Sequence, residues 1–335
     1  MRFRKLISTI DSHTGGNPTR TIIGGSIRLQ GKTMSEKMLD MKQNHDWLRE
    51  VLMYEPRGHE VMSGCVLTEP CHPEADLGVI YIETGGYLPM CGHDTIGLCT
   101  AAVEAELVPV TEPYTHINLD TPAGLVRVKV EVKDGKALGV TFANIPSFLH
   151  YADQVIDVPG IGKVTVDVAY GGNYYILTSA EALGLDLVPA NAAHLIATGI
   201  AIREATNKAL RIEHPEAPFI RGGTHVEFYG KPTHPEAHAK NVVIIPPGGV
   251  DRSPCGTGTS SKVAAMVARG ELALNQEFVY ESITGSIFRA RALELTQVGG
   301  LPAVVPEVTG QAWITGFHQF VIDPRDEIKT GFLLM

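Results

Sequence analysis

The sequence predicts an α+β protein made of two related halves. Three observations carry this. Strand-like segments outnumber helices and do not alternate with them as a βαβ series would. Glycine is abundant, 35 of 335 residues, which suits many tight turns between strands. A Cys-Gly-x-x-Thr motif running into an Ala/Val-rich segment occurs twice, at Cys91 and Cys255, 164 residues apart and so near half the chain.

The elements follow in order. RKLISTIDSHTGG alternates and breaks at Gly15-Gly16, as a strand entering a loop does. SEKMLDMKQNHDWLREVLMYEP reads as one helix, with Met38, Met41, Leu48, Val51 and Leu52 on one face and Pro56 as its stop. LGVIYIETGG is an apolar run closed by glycines, hence a buried strand. The segment LPMCGHDTIGLCTAAV follows it as strand, turn and helix. LVRVKVEVKDGKALGVTFANI holds two alternating runs around Asp134-Gly135, a hairpin signal. KVTVDVAY, NYYILTS, HVEFYG and NVVIIP read as strands, interrupted by a helix over about 190–210. DRSPCGTGTSSKVAAMVARG again runs from loop into helix, and the end is strand-rich. A boundary is expected near LDTPAG. It gives one half, residues 1–120 plus 312–335, with Cys91, and another, 121–311, with Cys255.

Composition narrows the function. The length suits two domains, and 44% hydrophobic with 19% charged residues suits a soluble globular protein. A net charge of −9 argues against a nucleic-acid partner, which needs a clustered basic surface. The basic start meets Asp11 and His13 before any long apolar run, so neither a signal peptide nor a membrane span is expected. Five irregularly spaced cysteines do not form a disulfide framework, and a cytoplasmic location follows.

The two cysteine motifs carry the chemistry. The first turn of a helix leaves N–H groups unpaired at the positive end of its dipole. A thiolate is stabilised there, and the same donors form a site for a carboxylate. Two such helices facing one cleft would hold an anion and put a thiol on each side of one carbon. That is what inversion at a carbon requires: one group removes a proton from one face while the other delivers one to the opposite face. A lone cysteine is more often an inert small core residue, and Cys65, Cys71 and Cys99 are read that way. Zinc is disfavoured because Cys71-His72 and Cys91-Gly92-His93 lack paired ligand spacings. GGVDRSPCGTGTSSK lacks the phosphate-loop pattern. A Cys91 hydrolase with His93 as base would leave Cys255 unexplained, and no lysine is singled out for a Schiff base.

GYLPMCGH together with DRSPCGTGTSSK resembles the proline racemase family of proline racemases, 4-hydroxyproline 2-epimerases and trans-3-hydroxyproline dehydratases. IDSHTGGNPTR and EPRGHEVMSG resemble it too, so the similarity spans the chain. The resemblance implies a diaminopimelate epimerase-like fold. Two pseudo-symmetric domains, each a curved mixed sheet around a central helix, would have the site in the cleft between them. It implies no cofactor and no metal, with a small imino acid as substrate; a homodimer is compatible with it. Cys91 and Cys255 match the proton-transfer cysteines. Gly92, His93, Gly256 and Thr257 match residues that hold the substrate carboxylate and its neighbouring groups. Asp251 matches the acid that holds the ring amine, against a plain loop-capping role. His225 resembles a further substrate contact, against an ordinary strand histidine, and His13 orders a loop. The dehydratase branch typically carries Thr where Cys255 stands, so inversion is favoured. Proline racemases resemble MFG where this chain has MSG, which puts Ser63 at a pocket Phe; they also carry an aromatic near Ile245. The wider, more polar pocket points to trans-4-hydroxy-L-proline, epimerised to cis-4-hydroxy-D-proline. Proline racemase is the alternative, followed by the dehydratase and a non-catalytic binding protein. On this reading proline would leave the Ser63 hydroxyl buried and unpaired, at ~1–3 kcal/mol.

Overall fold

The computed structural model describes residues 5–25 and 27–334; Met1–Arg4 of the basic start lie outside them. Its strands and few helices form two compact units, Met1–Thr141 with Gln311–Met335, and Phe142–Gly310. The α+β class expected from the strand-rich sequence is found. The units part at Thr141 rather than near LDTPAG. The Pro-Ala-Gly signal there marks a hairpin turn instead, where Thr121 pairs with Gly124 across Pro122-Ala123.

In the first unit β1 (Lys5–Thr14) lies antiparallel to β2 (Asn17–Gly24) and to the last strand, β18 (Ala312–Ile322). β2 runs parallel to β3 (Ser63–Thr68), which pairs antiparallel with β4 (Leu77–Glu83). β4 pairs with β5 (Gly86–Leu88) and runs parallel to β6 (Tyr114–Thr121), which turns into β7 (Gly124–Lys133). β8 (Lys136–Ala143) follows a two-residue turn in which Asp134 and Gly135 both have positive φ, 52° and 71°. That is the hairpin conformation Asp-Gly favours.

Helices α1 (Met34–Asn44) and α2 (Trp47–Met53) replace the single expected helix. It breaks at His45, the C-cap of α1, whose φ of −136° leaves helical geometry, and α2 restarts after Asp46. Their buried Met38, Met41, Leu48, Val51 and Leu52 pack on Val66, Ile80 and Ile82. α3 (Gly92–Glu104) is buried from Gly92 to Val103. Its Gly97 lets β1 and β2 come close, since a Cβ there would sit 2.8 Å from Ser12 Oγ and from Thr19 Oγ1.

The second unit repeats this plan. β9 (Phe148–Val158) pairs with β10 (Gly162–Tyr170), and β10 with β11 (Tyr174–Ser179). β11 runs parallel to β12 (His225–Gly230), which is antiparallel to β13 (Ala239–Ile245). β13 pairs with the short β14 (Gly249–Val250) and runs parallel to β15 (Phe278–Glu281). β16 (Ile287–Val298) and β17 (Leu301–Gly310) complete the sheet. α4 (Ala192–Ala209) packs on one face, over Val226, Phe228, Val242 and Ile244. α5 (Gly256–Ala268) starts one residue after Cys255, as α3 does after Cys91.

The correspondence reaches single hydrogen bonds. The Asp120 carboxylate accepts the N–H groups of Cys71 and His72, and Glu281 those of Thr233 and His234. These loops read Pro-Cys-His-Pro-Glu-Ala from Pro70 and Pro-Thr-His-Pro-Glu-Ala from Pro232, a second internal repeat. In each, the histidine Nδ1 accepts a backbone N–H two residues on, at 3.2 Å. His72 is thus a turn-former. β2, β9 and β17 carry no strand signal in the sequence reading. Pro18 in β2, and Pro302 and Pro306 in β17, argue against strand; Pro306 pairs beside a bulge at Ala292/Glu294, where proline is tolerated.

Candidate active site

The first cysteine site grows from the start of α3. Cys91 is its N-cap, in extended conformation, and its carbonyl accepts both the N–H and the hydroxyl of Thr95. Its Sγ lies 3.3 Å from His93 Nδ1. The other ring nitrogen, Nε2, meets Asn17 Nδ2 at 2.9 Å and Asp94 Oδ1 at 3.2 Å. Asp94 also accepts from Thr19 at 2.8 Å and from Ser63 at 2.6 Å. Burial works against its charge, but His93, then Ser63, outweigh it and hold the carboxyl below its ordinary value. β1 and β2 supply the supports: Thr14 donates to the His93 carbonyl, and Asn17 and Thr19 reach the ring and the acid.

The second site grows from the start of α5. Cys255 is the N-cap, with φ 61° and ψ 110°, a conformation strained for a residue with a Cβ. Its Sγ lies 3.1 Å from the Tyr175 hydroxyl, which also meets Thr257 Oγ1 at 2.6 Å. Burial pushes the thiol well above its ordinary value, and nearby Asp251 adds to this; the Tyr175 hydrogen bond opposes it. Asp251 follows β14 and is buried. Its Oδ1 accepts the N–H and the hydroxyl of Ser253, at 2.8 and 2.9 Å, so the carboxylate caps the turn before Cys255.

The structure therefore gathers Ser63, Cys91, Gly92 and His93 around one helix start, and Asp251, Cys255, Gly256 and Thr257 around the other. His225 opens β12 and stacks on Tyr175, with centroids 4.8 Å apart. Burial, then Arg203, pushes its pKa down to about 3, so the ring is neutral near pH 7. Ile245 is buried at the end of β13. His13 Nδ1 accepts the Gly16 N–H, ordering the loop as expected. Ser63 corrects an expectation: its hydroxyl donates to Asp94, so it is not left unpaired when a ring hydroxyl is absent. Cys65 and Cys99 are fully buried, and burial raises both thiols, as inert core residues require.

Asn17, Thr19, Asp94 and Tyr175 were not read from the sequence as site residues. Asp94 lay in plain view, adjacent to His93. The others come from strands whose approach no local pattern reveals. Cys91, His93 and Asp94 are the one group of possible metal ligands among the described residues. One ligand atom from each lies within 4.8 Å of the others, and His93 meets Cys91 through Nδ1 and Asp94 through Nε2.

A family model described as proline racemase matches residues 9–333. A proline racemase of Clostridioides difficile is 48% identical over 334 residues, covering 100% of both chains. A 4-hydroxyproline 2-epimerase of Streptosporangium roseum is 49% identical, also over 100% of both. Among solved structures, a hydroxyproline epimerase from Agrobacterium vitis with bound trans-4-hydroxy-L-proline superposes with a TM-score of 0.94 at 33% identity, covering 100% of this chain and 97% of that one. With the family model over residues 9–333 and full-length relatives at 48% and 49% identity, this chain belongs to the proline racemase family.

Proposed function

We propose that the protein inverts the α-carbon of a proline-type imino acid, using Cys91 and Cys255 on opposite faces of that carbon and no cofactor. The observation that carries this reading is the duplication itself. Each half ends a loop in a buried Cys at a helix N-terminus, with a polar partner on its sulfur. The two partners differ, and the difference suits two roles. His93 beside Cys91 serves a thiolate base; burial and Asp251 keep the proton on Cys255, which serves an acid.

In this mechanism the thiolate takes the α-proton from one face, and the α-carbon receives the other thiol's proton on the opposite face. One S–H bond forms and one breaks, so the enzyme ends with thiol and thiolate exchanged. That form accepts the product epimer, and exchange of the thiol proton with solvent resets the pair for another molecule of the first substrate. N–H groups of the first turns hold the substrate carboxylate. Asp251 holds the protonated ring nitrogen.

The preferred substrate on this reading is trans-4-hydroxy-L-proline. Overall identity does not separate it from proline, because a racemase and an epimerase relative stand at 48% and 49%. Ser63 supports it in a revised form. With its proton given to Asp94, the hydroxyl keeps lone pairs that accept from a ring OH. Polarimetry and chiral chromatography against trans-4-hydroxy-L-proline, L-proline and trans-3-hydroxy-L-proline test the proposal. A cis-4-hydroxy-D-proline product is expected. Faster turnover of proline would replace the epimerase by a racemase, and a keto product would replace inversion by elimination.

A further inference from the structure

The two halves place a buried carboxylate beside each thiol, but from opposite elements. In the first unit it is Asp94, three residues after Cys91 on α3. The matching position on α5 is Gly258, and a Cβ there would stand 2.5 Å from Oε2 of Glu227. Glu227 comes from β12. β3 and β12 correspond, each with its first four residues buried, so Ser63 matches His225 and Cys65 matches Glu227. The carboxylate has moved from helix to strand, and the helix has given up its side chain to admit it.

The surroundings differ as well. Asp94 accepts from Thr19 and Ser63 and meets His93. Glu227 Oε1 accepts from Tyr280 at 2.7 Å, while Oε2 is buried with no hydrogen-bond partner. Asn241, diagonal to Glu227 across the β12–β13 pair, also has a buried Oδ1 with no partner; its amide donates to the Pro254 carbonyl. Glu227 Oε2 and Asn241 Oδ1 are two buried acceptors on one strand face, close enough that the Asn241 side chain acts on the Glu227 charge, and a proton on Glu227 would supply a donor between them. A buried carboxylate that serves only packing would be expected to have both oxygens paired.

We propose that Glu227 is a positioning residue for Cys255, setting how readily that thiol gives up its proton through the charge it carries behind the first turn of α5. Burial pushes the Glu227 carboxyl up to about 7, against the Tyr280 hydrogen bond, the charge of Lys262 and the Asn241 side chain. Other groups act here too: Asp251 and Tyr229 act on Glu227, and Asp251 and Tyr175 on Cys255. As pH rises Glu227 ionises before the thiol and then repels its charge. Cys255 therefore keeps its proton until substrate displaces that balance, whereas Cys91 faces an acid already compensated by His93.

This inference rests on the reading of Cys255 as a proton-transfer group, but its test needs no substrate. Iodoacetamide alkylation of the intact protein, followed peptide by peptide from pH 6 to 10, reports both thiols at once. Glu227→Gln keeps the acceptor for Tyr280 and removes the charge. The Cys255 midpoint should fall by about one pH unit, the size expected for removing a close like charge, while that of Cys91 stays. Tyr280→Phe removes only the donor to Glu227, which stays ionised at the pH where the thiol titrates, so the Cys255 midpoint should move far less than in Glu227→Gln. An unmoved Cys255 midpoint in folded Glu227→Gln, a fall as large in Tyr280→Phe, or equal movement of both thiols would overturn the proposal. Racemisation by Cys255→Ser judges the underlying reading separately.

Discussion

His93 Nδ1 stands 3.3 Å from Cys91 Sγ, two residues along the same helix start. Its counterpart, Thr257, reaches Cys255 Sγ only at 4.0 Å, and the closer partner there is Tyr175 from β11. One thiol is served by its own helix, the other by a neighbouring strand. The duplicated scaffold thus surrounds its two thiols with unlike partners, as the proposed base and acid require.

The cysteine pair is expected to act as a unit. Cys91→Ser and Cys255→Ser should each lower inversion in both directions by at least ~100-fold, the smaller end of what a positioned acid or base contributes. Each variant should still exchange the α-proton of one enantiomer with solvent. Chiral chromatography with mass spectrometry in deuterated buffer reads both. Full inversion by either variant would return that cysteine to the core.

Tyr175→Phe removes a hydroxyl whose hydrogen bond lowers the Cys255 pKa. The midpoint for Cys255 alkylation should therefore rise, opposite in sign to the effect of Glu227→Gln. Turnover should drop by ~10-fold, about 1.4 kcal/mol for one hydrogen bond to a charged sulfur. A midpoint that falls would mean Tyr175 does not stabilise the thiolate.

Ser63→Ala separates recognition from support. If the ring hydroxyl donates to Ser63, kcat/KM for 4-hydroxyproline should fall about 10-fold more than that for proline. Loss of the bond to Asp94 lowers both substrates together. Equal losses, measured side by side, would confine Ser63 to holding Asp94.

Glu281 is expected to stabilise the second unit. Burial opposes its charge, yet Thr233, His234 and Lys240 hold its pKa down to about 2 from an ordinary 4.5. A folded pKa below the unfolded one means the contribution is complete above about pH 4.5 and is lost as pH falls toward 2. Glu281→Gln should cost roughly 2 kcal/mol at pH 7, since Lys240 Nζ, 3.0 Å away, loses its charged partner. Urea unfolding across pH checks this; a cost unchanged between pH 7 and pH 3 would contradict it.

The fold was legible where pattern and punctuation agreed. Asp134-Gly135 announced its hairpin, and Cys91 and Cys255 announced two helix starts. Proline hid β2 and β17, because a ladder position that needs no N–H cannot be told from a break by sequence alone. The Pro-Ala-Gly turn at 122–124 imitated a domain boundary for the same reason. The repeated Pro-x-His-Pro-Glu-Ala segment at Pro70 and Pro232 is a further local signal of the duplication. Tyr175 and Glu227 left no such trace. Each reaches its thiol through strand pairing, Tyr175 from β11 and Glu227 from the next strand, and only the register Tyr175↔His225, Leu177↔Glu227 aligns them.

The central claim is that two groups, not one, handle the α-proton. Inversion of unlabelled trans-4-hydroxy-L-proline in D2O, sampled at early conversion, tests it most directly. Two thiols on opposite faces predict an inverted product fully deuterated at the α-carbon, beside remaining substrate that is still protiated. Product retaining the substrate's own proton, or deuterium entering substrate and product alike, would show one base working on both faces and contradict the account.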